Sequence, residues 1–150
     1  MPLIDFASAV KSEMVYKAAG YAVATYDPDP SLNYAVDARG SYEVVIIVNC
    51  GNFTTNGTLE ITLQDSDDAT TWTELLDEEG DSAVFPTIAE SPTGDEVSDN
   101  AQYFARINLW PKKRYIGVKA LVATAKAQFS VSALLLSYDT KDSSTPSVSV

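Results

Sequence analysis

Apolar and polar residues alternate in short runs along most of this chain, and the runs have strand lengths. Residues 58–65 alternate most cleanly, with Leu59, Ile61 and Leu63 on one side and Glu60, Thr62 and Gln64 on the other. Period-two alternation of this kind predicts a strand with one wet face. Residues 42–50 are rich in β-branched side chains and apolar on both faces across Val44–Val48, so a central strand is expected there. Residues 31–38 place Leu32, Tyr34 and Val36 on one face. Residues 102–109, 114–124 and 127–138 complete the main set, the last with Phe129, Val131, Ala133 and Leu135 pointing one way.

Turn chemistry separates these runs. Asp27-Pro28-Asp29-Pro30 breaks the chain, because proline fixes φ and restricts the residue before it. Arg39-Gly40 reads as a turn, residues 51–57 as a hairpin-type connection, and residues 66–69 as a turn built on Ser and Asp. Residues 70–76, carrying Trp72, then form a hairpin with 58–65. Val84-Phe85 and Thr87-Ile88 suit a short edge strand beside Pro86, and residues 90–100 read as a long exposed loop. A turn at residues 110–113 and a join at Ala125-Lys126 follow. About eight short strands at regular spacing predict an all-β, antiparallel, jelly-roll-like sandwich.

Both ends differ from the middle. Phe6, Val10, Met14 and Lys17 share a helical stripe, so residues 6–17 are expected as a short helix or an ordered arm. The organisation predicted is an N-terminal arm over 1–20, a sandwich over 21–139 and an extended tail over 140–150. The tail lacks bulk to bury. The N-terminus shows no basic region followed by a long apolar run, and no stretch nears the roughly 18–20 residues of a membrane span.

Charge changes the picture. The 150 residues carry a net charge of −11, and between Gly40 and Ala105 there are fourteen acidic residues and no basic one. Such a surface repels nucleic acid. It fits a basic protein surface, or it serves solubility. Histidine is absent, which removes the commonest general base and the usual metal ligand. One cysteine, Cys50, permits no internal disulfide and ends an apolar run, where a buried thiol acts as a small hydrophobe. No phosphate-binding glycine pattern is present. The carboxylates of Asp65, Asp67 and Asp68 begin like a calcium loop but lack its glycine and distal glutamate. They are the metal candidates in a chain otherwise expected to need no metal and no cofactor. Lys112, Lys113 and Arg114, beside Trp110 and Tyr115, form a basic turn. It either offsets the acidic stretch, in this chain or on a neighbouring subunit, or anchors an interface through Trp110, which could equally fold onto its own hairpin.

Two segments carry a family resemblance. Gly57 to Trp72 (GTLEITLQDSDDATTW) resembles a strand–turn–strand segment of small tailed-phage structural proteins. Arg114 to Lys119 (RYIGVK), with Phe129 to Leu135 (FSVSALL), resembles the last hairpin of the same proteins. The group is the capsid cement, or decoration, proteins of jelly-roll type. The resemblance spans about residues 42–138. It implies a non-enzymatic protein on the outer surface of an icosahedral head, assembled in the host cytoplasm. Its partners would be the major capsid protein and itself, as a homodimer or homotrimer, with no nucleic acid and no membrane. Leu3, Ile4, Phe6 and Val10 of the arm, with Trp110, Lys112, Lys113 and Arg114, are then the expected contact residues. A tail, fibre or head–tail connector part is the alternative within the virion. A carbohydrate-binding module using Trp72, Trp110 and Tyr103 is the alternative of another class.

Overall fold

The alternating runs become strands because each can bury one row of side chains against a second sheet. The computed structural model describes residues 10–76, 80–109 and 112–137. Its strands are β1 (Val10–Tyr21), β2 (Ala24–Tyr26), β3 (Ala35–Asp37), β4 (Ser41–Cys50), β5 (Thr58–Ser66) and β6 (Thr73–Glu74). They continue as β7 (Ile88–Ala89), β8 (Val97–Ser98), β9 (Gln102–Asn108), β10 (Tyr115–Ala123) and β11 (Ala127–Ser137). One sheet has four strands in the order β1-β11-β4-β9, all antiparallel. The other runs β2-β10-β5-β7-β8, with β3 also on β10 and β6 also on β5.

The eleven strands occupy the eight lanes of a jelly roll. β2 and β3 share one lane along β10, and β6 and β7 share one along β5, with β8 parallel to β7 outside it. Numbered in chain order, the lanes then run 1-8-3-6 in one sheet and 2-7-4-5 in the other. Lanes 1 and 8, 2 and 7, 3 and 6, and 4 and 5 are neighbours, as in a long hairpin rolled over itself. The core lies between the sheets, with Val44, Ile46 and Val48 facing Leu59, Ile61 and Leu63, all buried.

Several expectations need correction. Residues 10–17 are neither helix nor arm but the first part of β1, an edge strand paired along β11. Opposite Met14 lies Ser132 and opposite Tyr16 lies Val131, so Val15 is an extra residue. This bulge turns both Val15 and Tyr16 into the core, 2% and 0% exposed. Residues 31–38 yield only three strand residues, because the Asp29 carboxylate accepts the Ser31 amide and Pro30–Leu32 form a 3-10 turn. Leu32 is exposed. The connections over 51–57 and 124–126 are not hairpins. Each carries the chain from one sheet to the other, since β4 and β11 belong to one and β5 and β10 to the other. The loop over 90–100 folds back as β8. The β5–β6 hairpin is as expected, with Gln64 opposite Glu74.

Tyr16 joins the sheets. Its hydroxyl lies 2.9 Å from the Val118 carbonyl and 3.2 Å from that of Tyr26, on strands of the opposite sheet. Val118 sits where β10 passes from β3 to β2, and there a side chain completes the pairing. Burial, then the neighbouring Tyr34, pushes the hydroxyl far above its ordinary pKa, so it stays a donor. Tyr16→Phe leaves a buried carbonyl short of a partner and is expected to cost about 1–3 kcal/mol, read from the urea midpoint. An unchanged midpoint would remove the tie from the account.

The turn between β10 and β11 is strained. Thr124 has φ +63°, and the Ala125 amide donates to the Ala123 carbonyl at 2.7 Å. A β-branched residue is poorly suited to that region. Thr124→Gly is expected to raise stability by about 0.5–1 kcal/mol, the relief being partly offset by the freer unfolded chain. A fall in stability would show that the Thr124 side chain matters more than its backbone.

Candidate functional site

The two outer faces of the sandwich differ in kind. Residues directly opposite on neighbouring antiparallel strands share a face. On the outer face of the four-stranded sheet one row reads Met14, Ser132, Ile47, Phe104 across β1, β11, β4 and β9. The next reads Ser12, Leu134, Val45, Arg106, and the next Val10, Leu136, Glu43, Asn108. Seven of these twelve positions are apolar. Phe104 is 70% exposed and Met14 55%. The face's two charges in these rows pair with each other, Arg106 gripping Glu43 through Nε (3.1 Å) and Nη2 (2.7 Å).

Toward its far end this face becomes polar, with Ser130, Asn49 and Gln102 in one row. Gln102 donates to the Asn49 amide oxygen at 2.6 Å, and Asn100 donates to Asn52. A shallow groove of about 450 Å³ opens there, lined by residues 18–20, 49–51 and 128–130. Cys50 is half-buried in it. Burial, then the Asp99 carboxylate, raises its thiol to about 12.

The outer face of the other sheet is polar. Its rows pair Lys119 with Thr62, Leu121 with Glu60, and Gly117 with Gln64. Gly117 is a dent: a Cβ there would lie 2.6 Å from Pro28 Cβ and 2.7 Å from Trp72 Cζ3. Trp72 therefore lies against the sheet beside Pro28, half-buried. Tyr103 faces inward opposite Val48, with its hydroxyl donating to the Ser98 carbonyl at 2.6 Å. Two of the three aromatics named for sugar stacking, Trp72 and Tyr103, are thus engaged in packing.

The basic turn is taken up within the chain. Lys112 Nζ donates to the Leu76 carbonyl at 2.6 Å, and Lys113 Nζ to Thr73 Oγ1 at 2.7 Å, with Asp65 3.5 Å away. Arg114 holds Asp37 through two bonds of 3.0 and 2.5 Å and lies over the Tyr115 ring. This contact holds the Asp37 carboxyl below the ordinary range. Lys113 and Arg114 thus lie against acids of their own chain, and Lys112 holds a backbone carbonyl. Val10 begins β1 on the apolar face. Leu3, Ile4, Phe6 and Trp110 lie outside the described residues.

The three metal candidates do not converge. Asp68 accepts from the Thr70 and Thr71 amides, each at 2.8 Å, and from Ser66, which holds its carboxyl far below the ordinary value. Asp65 accepts from Thr73 Oγ1 at 2.8 Å, and Asp67 is exposed. Among the described residues no three metal-ligating side chains form a group. Two acids of the 90–100 segment likewise serve the fold, Asp99 accepting from the Phe53 amide and Glu90 from the Asn56 amide.

No family model matches the sequence, and no curated protein matches it. Among solved structures, the chain is similar to PBSX exported protein XepA, with a TM-score of 0.51 at 11% identity over 93% of this chain. It spans only 42% of XepA's length. It is also similar to SPBc2 prophage-derived protein YomS, with a TM-score of 0.49 at 13% identity over 85% of this chain and 93% of YomS. At such identities what is shared with XepA is the fold.

The Cys50 environment yields a test. At pH 8 the thiol is expected to stay protonated, so the native protein reacts with Ellman's reagent far more slowly than the urea-unfolded chain. Equal rates would mean that the groove exposes a thiolate.

Proposed function

We propose that this chain is a structural protein of a phage particle, and specifically a decoration protein that binds the outside of an icosahedral head and bridges capsid subunits. The observation that carries the reading is the apolar, charge-balanced outer face of the four-stranded sheet on an otherwise acidic jelly roll. A bare apolar face of this kind marks a contact surface. The fold-level likeness to XepA, named as a protein of PBSX, and the resemblance of residues 57–72, 114–119 and 129–135 to cement proteins support placing that contact in a phage. The protein acts by adhesion rather than turnover. Interface added between neighbouring subunits raises the cost of parting them, and several weak contacts per assembly add through avidity.

One observation favours a second reading. XepA is named as an exported protein, so this chain is alternatively a secreted prophage product that never joins a particle.

Quantitative mass spectrometry of purified particles separates the readings. Hundreds of copies per head are expected for decoration, whereas about six or twelve would mark a tail or connector part. Protein found free and not on particles would sink the virion reading. A truncation tests the N-terminal contact residues, and it must stop at residue 9, because Val10 is already paired with Leu136. Removing residues 1–9 is expected to weaken binding to isolated heads while the strand spectrum is kept. Undiminished binding would free Leu3, Ile4 and Phe6 from that role.

A further inference from the structure

We infer that the outer face of the four-stranded sheet is where a second copy of this chain docks, sheet against sheet across a twofold axis. The inference rests on the reading of this face as adhesive and assigns it to pairing between copies, so that contact with the capsid falls to residues outside it, such as Leu3, Ile4 and Phe6.

Charge argues for a copy rather than an unlike partner. The chain carries −11, so two copies repel wherever their acidic surfaces meet. In the three rows from Val10 to Phe104 the two ionised side chains neutralise each other. Copies can approach there without opposed charge, while a basic partner is drawn to the acidic surfaces instead. The interface an apolar, balanced face best fits is another of the same.

Size and symmetry agree. Four strands at about 4.8 Å spacing and the five residues at about 3.4 Å rise that the three rows span give a flat footprint of about 330 Å². Side-chain relief raises the accessible area above that, toward the roughly 800 Å² per partner of an ordinary stable contact. Met14 and Phe104 stand on the two edge strands, at opposite ends of one row. A twofold axis running along the strands between β11 and β4 lays Phe104 of each copy over Met14 of the other. It also lays Leu134 over Val45. Such an interface is self-complementary, as twofold contacts must be, and sulfur against an aromatic ring is a favourable pair.

Sedimentation equilibrium of the purified full chain tests this. A mass of twice the 16.2 kDa monomer is expected. Phe104→Glu, at an exposed edge position, and Ile47→Glu are expected to weaken the dimer about tenfold or more, with circular dichroism checking the fold. Thr62→Glu, on the opposite outer face, is expected to leave it intact. Raising salt should strengthen the dimer by screening two like charges, where an acid–base contact would weaken. A wild-type monomer up to about 100 μM overturns the inference. So does a dimer that survives both face substitutions, or one that dissolves in salt. A monomer that dimerises only after residues 1–9 are removed also overturns it, because the chain's own N-terminal segment would then occupy the face. Copy number on particles is measured separately, so either reading can fail without the other.

Discussion

One tyrosine holds the two sheets in register. Tyr16 starts on an edge strand of the four-stranded sheet and ends at the backbone of β10 in the other. It stacks on Tyr34 with ring centroids 4.2 Å apart and packs on Phe129 at 5.5 Å. The lane beside β10 is interrupted between β2 and β3. A broken lane leaves backbone groups without a strand partner, and buried groups of that kind are costly. The Tyr16 hydroxyl supplies the partner, and its ring fills the space behind it. The bulge at Val15 makes this reach available, because it turns two consecutive residues inward.

Around that tie the acidic composition divides into two uses. Some carboxylates build the fold: Asp68, Asp99 and Glu90 accept backbone amides in loops, and Asp37 and Glu43 pair with arginines. The rest leave most of the surface negative. The exception is the outer face of the four-stranded sheet, where five of the eight residues in the rows through Ile47 and Val45 are apolar. A protein with one such face, and acidic repulsion elsewhere, has its contacts chosen by exclusion as much as by attraction.

The proposed adhesion through a sheet face suits this fold mechanically. Both sheets are built from pairings between distant parts of the chain, such as β1 with β11 and β4 with β9. Force applied to the face is therefore shared over many backbone bonds. A surface on rigid strands keeps its shape better than one on loops.

The runs 42–50, 58–65, 102–109, 114–124 and 127–138 were legible as strands to within a residue at either end, because alternation depends only on local pattern. The sequence also held the turns between about eight strands and the absence of histidine. Three things needed the tertiary structure. The bulge at Val15 breaks alternation, and Phe6, Val10, Met14 and Lys17 fall at helical spacing, so β1 was hidden. Glycine, asparagine and threonine serve equally in a hairpin and in a passage between sheets, so residues 51–57 gave no sign of which they were. Apolar residues on both faces of residues 44–48 pointed to a central strand, and β4 is one. Only the order of strands shows that Val45 and Ile47 face outward on a sheet no other described strand covers. Alternation is fixed by neighbours in the chain, but which face meets water is fixed by the partners that folding brings.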